Sequence, residues 1–207
     1  PAKTQAALLE AMEEGQITSG GVAYRLPEPF IVIATQNPAD YDSAFPLPEA
    51  QLDRFLLRLS IGYPAAQDEI AMLGRLQQQH PVERLRPVTT VAELSQIKRE
   101  AQTVYVDDAL KQYIVGITAA TRGYPGVALG ASPRTSLALM RAAQARAALA
   151  GRGYAIPDDV KAMAVPVLAH RLMLTPDAKA DGLTGEAVLA AILHCVPVPG
   201  IRFASGS

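Results

Sequence analysis

The sequence is short of cysteine, of long apolar runs and of excess charge of either sign, and each shortage excludes a class of protein. The single Cys195 cannot form an intrachain disulfide framework, which fits a reducing compartment. No apolar run approaches the ~20 residues that a membrane-spanning helix needs, and no basic-then-apolar leader opens the chain. The formal net charge of -1 argues against a large non-specific nucleic-acid footprint. We therefore expect a cytoplasmic protein with no direct membrane insertion and no nucleic-acid partner.

Patterns for metal binding and for nucleophilic catalysis are also missing. The three histidines are scattered without metal-ligand spacing, so we predict no metal site in this chain. Cys195 has no recognisable nucleophile setting and is expected to be buried. Two charged groups are interpreted as solvated helix faces: Arg141, Arg146 and Arg152, and Glu10, Glu13 and Glu14.

The chain changes character near Pro64. Apolar residues make up 49% of the sequence, enough for a substantial core. The apolar run 30–35 lacks alternation, which is typical of a strand buried on both faces of a parallel sheet. Gly20-Gly21, between two β-prone runs, predicts a hairpin turn. The elements predicted before Pro64 are a helix over 4–14, a hairpin over 17–24, strands over 30–35 and 57–61, and a short helix over 47–55.

Helical periodicity dominates after Pro64, with one short strand predicted near 103–106. The predicted helices cover 66–79, 91–101, 107–121, 133–150, 157–170 and 184–194. The expected fold class is an α/β fragment plus an all-α part. Residues 1–63 form a piece of a parallel αβα layer, residues 64–203 a helical bundle, and residues 204–207 a linker or tail.

Two residues in the region 1–63 are candidates for ligand contact. Asn37 follows the predicted buried strand, and ligands of open parallel sheets sit beyond the carboxyl ends of the strands. Its amide could orient a water or touch a phosphate, or it could cap a turn. Arg54 could act as an arginine finger on a γ-phosphate, or form a local ion pair with Asp53 or Glu49. Arg58 is a weaker candidate with the same alternatives.

Arg134 has the strongest physical argument. Ser132 and Pro133 predict a helix start, with serine as the N-cap and proline at the first helical position. A cation in the first turn faces the positive end of the helix dipole, at a cost of about 0.3 kcal/mol or more. A nucleotide phosphate would satisfy both the guanidinium and the free helix N–H groups. The alternative is a solvated surface arginine.

Taken in order along the chain, these signals resemble one family. The matching segments are AKTQAALLEAMEE at 2–14, IVIATQNP at 31–38, FPLPEAQLDRFLLR at 45–58, GASPRTSLAL at 130–139, YAIPDDV at 154–160 and HRL at 170–172. They closely resemble the MoxR-type AAA+ ATPases, and the resemblance extends to about Arg202. It implies that residues 1–63 are the C-terminal part of the AAA+ core and that residues 64–203 are its helical lid.

The resemblance also implies a role for each candidate residue. Asn37 matches sensor 1, which positions the attacking water. Arg54 matches the arginine finger, which acts on the nucleotide of the neighbouring subunit. Arg134 matches sensor 2, which reaches from the lid to phosphates in its own subunit. The hairpin over 17–24 resembles the pre-sensor 1 insertion of this branch.

The resemblance implies an ATPase that hydrolyses ATP with Mg²⁺ and works as a homo-hexameric ring. The ring remodels or matures client protein complexes, commonly with a von Willebrand factor A domain partner. The phosphate-binding loop G-x-x-x-x-G-K-[ST] and the acidic Walker B strand, which hold ATP and Mg²⁺, do not occur in this sequence. We therefore expect the chain alone to be inactive.

Two alternatives to this function stay open. The chain could be a non-catalytic helical binding or oligomerisation module, or part of a related ring ATPase such as a magnesium-chelatase-type subunit. A ring motor on DNA is disfavoured because 17–24 contains no lysine or arginine.

Overall fold

The computed structural model describes residues 2–36, 52–76, 82 and 85–200. Asn37 and residues 47–51 of the helix predicted over 47–55 lie outside these residues. The described helices are α1 (Ala2–Glu14), α2 (Ala66–Leu76), α3 (Val91–Thr103), α4 (Asp108–Arg122), α5 (Pro133–Leu149), α6 (Pro157–Leu168), α7 (Pro176–Ala180) and α8 (Gly185–Cys195), with a 3-10 helix at Ala169–Arg171. The described strands are β1 (Gln16–Ser19), β2 (Val22–Arg25), β3 (Val127–Leu129) and β4 (Met173–Leu174).

Side-chain caps determine where several of these helices begin. The Thr90 hydroxyl accepts from Glu93 N at 3.2 Å, and the Glu93 carboxylate accepts from Thr90 N at 2.7 Å, which forms a capping box at α3. Asp107 caps α4 by accepting from Leu110 N at 2.7 Å. Each helix predicted after Pro64 is formed and begins within one residue of its predicted start.

The hydrophobic core lies among α4, α5, α6 and α8. Buried residues of α4 recur three and four positions apart, as in an amphipathic helix. The apolar members of this stripe are Leu110, Tyr113, Ile114 and Ile117. This stripe belongs to one cluster with fully buried residues of the other helices, among them Leu139, Val160, Val167, Leu168, Val188 and Leu189. Full burial of a side chain of this size contributes roughly 1.5–3 kcal/mol, so these four helices form the stable body of the chain.

β1 and β2 form the hairpin that Gly20-Gly21 predicts. Both glycines have positive φ angles, 58° and 79°, which a type I′ hairpin turn requires. Glu10 of α1 accepts hydrogen bonds from the Thr18 hydroxyl and, at 3.0 Å, from the Thr18 N–H. These two bonds lower the pKa of the Glu10 carboxyl, the hydroxyl bond most. They also attach the hairpin to α1.

The two strands predicted for a parallel sheet are not formed, which corrects that part of the expectation. The chain carries no ladder hydrogen bonds over 30–35 or 57–61. Ile31, Ile33 and Ile61 are 77%, 82% and 97% exposed. A strand exists only through hydrogen bonds to a neighbour, and the sheets among the described residues are the antiparallel pairs β1–β2 and β3–β4. The apolar pattern was identified correctly, but no described segment pairs with it.

Smaller features also differ from the sequence expectations. The strand predicted near 103–106 is reduced to a single bridge between Tyr105 and Tyr154. Sequence patterns did not predict β3, β4 or α7. Cys195 is exposed, so the expectation that it is buried was wrong.

None of the described helices is both long enough and apolar enough to cross a membrane.

Candidate functional site

Arg54 and Arg134 meet at one carboxylate oxygen. Glu13, in the last turn of α1, places Oε1 3.4 Å from Arg54 Nε and 3.3 Å from Arg134 Nη1. The Glu13 and Arg54 side chains are 34% and 28% exposed, and that of Arg134 is 67% exposed. Three segments far apart in sequence therefore converge on a single anionic oxygen. We call Arg54 and Arg134 the arginine pair.

The start of α5 presents Arg134 beside helix N–H groups without a side-chain cap. Ser132 is the N-cap residue and Pro133 occupies the first turn, but the Ser132 hydroxyl bonds to the Thr135 hydroxyl at 3.1 Å instead of to the backbone. A helix N-terminus attracts anions because its free N–H groups and its dipole are both positive there. The anion that the sequence predicted for Arg134 is supplied here by Glu13.

The loop before α5 is fixed against the end of α4. Ala131 N donates to the Thr121 hydroxyl at 2.9 Å, and the Ala131 carbonyl accepts from Arg122 Nε at 2.8 Å. Gly130 approaches the same backbone so closely that a Cβ there would lie 2.7 Å from Arg122 Cα. Only glycine allows this approach, and it sets the position of Arg134.

The segment that carries Arg54 is bound to the 3-10 helix. His170 Nε2 donates to the Phe55 carbonyl at 3.0 Å, and Arg171 Nη2 donates to the same oxygen at 2.9 Å. Arg171 Nε also lies 3.4 Å from Asp53 Oδ1. The residues before and after Arg54 are thus both held by Arg171. We call His170 and Arg171 the clamp.

The clamp is buried, and burial shifts both of its pKa values. Burial lowers the pKa of His170; the hydrogen bond to the Phe55 carbonyl opposes this shift, while the charges of Arg171 and Arg58 add to it. Burial also lowers the pKa of Arg171; the Asp53 carboxylate opposes that shift and the Arg134 guanidinium adds to it. His170 is therefore neutral near pH 7.

Positive charge exceeds negative charge around Arg54. The guanidiniums of the arginine pair and of Arg171 face only two carboxylates, those of Glu13 and Asp53. This count covers the contacts among the described residues. A surface with an excess of guanidinium groups is suited to bind an anion with several oxygens, such as a phosphate.

The structure brings together two of the three candidate residues predicted from sequence. Arg54 and Arg134 are adjacent, whereas the prediction for Asn37 concerns a residue outside the described part. Arg58 is held by its backbone, whose N–H donates to the Pro166 carbonyl at 2.9 Å, and its side chain is exposed. Sequence reasoning missed Glu13, which it interpreted as helix surface, and it gave the clamp no role.

The sequence signal for the clamp was its place in the family resemblance, which includes the HRL segment at 170–172. A histidine and an arginine side by side have no spacing that would indicate a function by itself. Glu13 had no signal, because its partners lie in segments that only the tertiary fold brings near.

A second charged cluster serves the fold rather than the arginine pair. Arg152 donates to both carboxylate oxygens of Asp159, at 2.7 and 2.6 Å, and Arg146 Nε lies 3.5 Å away. Asp159 is only 2% exposed. Burial raises its pKa, but hydrogen bonds from Arg152 and from Ile156 N, with the charges of Arg152 and Arg146, outweigh this and leave it lowered. The interpretation of Arg146 and Arg152 as a merely solvated face was wrong.

Among the described residues, no group of three or more His, Cys, Asp or Glu side chains is arranged to hold a metal ion.

Two family models match the chain. Residues 1–57 match the model described as the ATPase family associated with various cellular activities (AAA), and residues 119–192 match the model of the AAA lid domain. The first range contains Glu13 and Arg54, and the second contains Arg134 and the clamp. The arginine pair therefore joins the two matched regions.

Curated relatives match nearly all of the chain. The uncharacterized protein YeaC of Bacillus subtilis is 50% identical over 98% of this chain and 63% of its own length. Chaperone MoxR1 of Mycobacterium tuberculosis is 39% identical over 98% of this chain and 55% of its length. Protein MoxR of Paracoccus denitrificans is 30% identical over 95% of this chain and 64% of its length. The chain thus spans between about half and two thirds of these relatives.

A solved structure has the same fold. A crystal structure described as a "putative ATPase" from Cytophaga hutchinsonii superposes with a TM-score of 0.89 and 33% sequence identity. The match covers 97% of this chain and 63% of that one. The fold of the described residues is therefore that of the end of an AAA+ core followed by its lid.

Proposed function

Because the chain belongs to the MoxR-type AAA+ ATPases, we propose that it supplies the nucleotide-sensing and lid part of an ATP hydrolase. The hydrolase is proposed to work as a cytoplasmic homo-hexameric ring. The proposed task of the ring is chaperone-like remodelling or maturation of a client protein complex, with a von Willebrand factor A domain protein as a further partner. The name of the Mycobacterium tuberculosis relative, a chaperone, supports this direction.

One observation carries the proposal: Arg54 and Arg134 share a single anionic oxygen. We infer that a phosphate oxygen of a nucleotide would replace the Glu13 carboxylate oxygen. Guanidinium groups bind phosphates as they bind carboxylates, by charge-assisted N–H···O bonds. The uncapped start of α5 adds further donors close to Arg134.

The described residues of this chain suit the phosphates of ATP. The arginine pair would contact phosphate oxygens, while the phosphate-binding loop and the Walker B acid do not occur in the sequence. When bound, Mg²⁺ would neutralise β- and γ-phosphate oxygens. No group of side chains among the described residues is arranged to ligate it, and the proposed contacts of this chain with the nucleotide are those of its arginines.

Arg54 and Arg134 would stabilise the charge that develops on the transferred phosphoryl group. An arginine in such a position accelerates hydrolysis about 10³- to 10⁵-fold in known phosphoryl-transfer enzymes. Its guanidinium is always charged and planar, so it reaches two phosphate oxygens without proton exchange. Asn37 is proposed to orient the attacking water, as the family resemblance implies.

The shared oxygen also bears on which nucleotide the pair contacts. Both guanidiniums lie within 3.4 Å of one oxygen atom, so a single anion can contact both. The resemblance implies that Arg54 contacts the nucleotide bound by the neighbouring subunit, and that Arg134 contacts the nucleotide bound by the same subunit. The geometry favours a single anion for both, and we propose that the pair acts together on the neighbour's nucleotide.

Subunit mixing tests this proposal in an ATPase that carries this sequence together with Walker A and Walker B motifs. Arg54→Ala and Arg134→Ala should each reduce ATP turnover by at least about 10³-fold. Mixing either variant with a Walker A-defective subunit should restore part of the turnover. In the mixed ring, an intact nucleotide site then faces an intact arginine pair from its neighbour.

The two arginines have separate failure outcomes. If mixing rescues Arg54→Ala but not Arg134→Ala, Arg134 acts within its own subunit and the shared-anion proposal is wrong. If neither single variant loses turnover, the arginines do not contact the nucleotide. Arg99→Ala, an exposed arginine on α3, is the matched control and should keep full activity.

A further inference from the structure

The clamp contacts the residues immediately before and after Arg54 in the chain. Two donors, His170 Nε2 and Arg171 Nη2, converge on the carbonyl of Phe55, the residue that follows Arg54. Arg171 Nε faces Asp53, the residue that precedes it. Four residues after Arg54, the backbone N–H of Arg58 donates to the Pro166 carbonyl at 2.9 Å. The backbone around Arg54 is therefore fixed to the end of α6 and to the 3-10 helix.

These contacts are sheltered from solvent. The Arg171 side chain is only 6% exposed; it donates to one carbonyl, and its Nε lies at ion-pair distance from the Asp53 carboxylate without a hydrogen bond. Burying a guanidinium is costly unless it is paired and hydrogen-bonded. A backbone carbonyl with two donors, one of them a buried arginine, is a specific arrangement and not an incidental surface contact.

The hydrogen-bonding chemistry fixes the state of His170. The Phe55 carbonyl can only accept, so Nε2 must carry the proton of the neutral ring. Nδ1 is buried with no hydrogen-bond partner. A second proton on Nδ1 would create a buried N–H without an acceptor, next to Arg171 and Arg58. His170 therefore acts as a neutral donor.

The 3-10 helix that carries the clamp is itself held by α8. Gly185, at the start of α8, approaches so closely that a Cβ there would lie 2.7 Å from the Ala169 carbonyl oxygen. Leu168 and Leu189 are fully buried beside this contact. The clamp thus belongs to the same packed body as α5, which carries Arg134.

We propose that His170 and Arg171 are positioning residues for Arg54, which tie it to the helical body so that it stays beside Arg134 when that body moves. The proposal rests on the phosphate-contacting role proposed above for Arg54. Neither clamp residue touches the anion itself. Their effect passes through the Phe55 carbonyl and the Asp53 carboxylate to the residue between them.

The experiment uses the 207-residue chain and two readouts. Hydrogen exchange of the Arg58 amide reports whether the segment stays docked, independently of any ligand. An NMR titration with inorganic tripolyphosphate reports anion affinity. The variants are His170→Leu, His170→Gln, Arg171→Met and Arg54→Ala, with His194→Leu and Arg99→Met as matched controls at exposed positions.

We expect His170→Leu and Arg171→Met to speed exchange of the Arg58 amide about tenfold, which corresponds to ~1.4 kcal/mol. Both should weaken tripolyphosphate binding as much as Arg54→Ala does. His170→Gln should restore both readouts, because its side-chain amide can donate to the Phe55 carbonyl. In an Arg54→Ala background, the clamp variants should weaken binding no further, since they act through Arg54.

The outcomes separate this inference from the proposed function. Unchanged Arg58 exchange in both clamp variants would overturn the positioning role. A further loss of affinity in the Arg54→Ala background would also overturn it, because the effect would then be a general loss of lid structure. Faster exchange together with an Arg54→Ala variant that binds normally would support the clamp and refute the phosphate role of Arg54.

Discussion

Glu13→Gln should strengthen anion binding at the arginine pair. The carboxylate oxygen lies 3.4 Å from Arg54 and 3.3 Å from Arg134, which is the position proposed above for a phosphate oxygen. A phosphate must displace it before both arginines can bind. Glutamine keeps the size of the side chain but removes the charge that competes.

The size of the effect follows from the two ion pairs. Exposed pairs contribute about 0.2–1 kcal/mol each, so together about 0.4–2 kcal/mol. The distances exceed the 2.7–2.9 Å typical of strong charge-assisted bonds, and Arg134 is 67% exposed, which favours the lower half of the range. With ~1.4 kcal/mol for each factor of ten, 0.4–1 kcal/mol corresponds to roughly 2- to 5-fold tighter binding.

The assay is an NMR titration of the chain with tripolyphosphate at 0.1 M salt. Charges further apart than a Debye length of ~10 Å are largely screened under this condition. Glu14→Gln is the matched control, because it makes the same charge change one residue away, where Glu14 bonds Gln16 and neither arginine. Equal affinities of the Glu13 and Glu14 variants would refute direct competition by Glu13.

Three further predictions concern the stability of the helical body. Asp159→Ala should lower the free energy of unfolding by about 3 kcal/mol, because it removes one partner of a buried ion pair, and should lower Tm by roughly 6–12 °C in calorimetry. The folded-state pKa of His170 is lowered, so the unfolded chain takes up its proton first. Stability should therefore fall as pH drops below ~6.5, and urea unfolding of His170→Gln should show a smaller fall. Gly130→Ala should cost about 1–3 kcal/mol through overpacking, whereas Gly123→Ala, with open space around it, should be nearly neutral.

The helical half of the fold could be predicted from sequence because its signals are local. The N-caps of α3 and α4 and the proline at the start of α5 lie within a few residues of the helix ends they determine. Apolar spacing in α4 alone defines which face is buried. The hairpin was equally local, since Gly20-Gly21 permits the positive φ angles of its turn.

The strands and the charged contacts could not be predicted in the same way. Ile31 and Ile61 lie in sequence segments whose apolar pattern is typical of strands, but both side chains are exposed. A strand depends on a partner that local sequence does not identify. Arg134 was expected to need an anion, but Glu13 is 121 positions away and only the tertiary fold brings the two together. For the same reason Arg152 was predicted to be solvated, whereas in the structure it donates to the Asp159 carboxylate.

The arginine pair is attached to the helical body, whereas the Glu13 carboxylate that it contacts belongs to α1. Arg134 is fixed through α5, and Arg54 is tied to the same helical body by His170 and Arg171. Glu13 is carried by α1, which packs against strand β1 of the hairpin. A displacement of α1 would therefore remove the carboxylate without separating the two guanidiniums. Under the proposed function, a phosphate would then replace the carboxylate without any rearrangement of the two arginines.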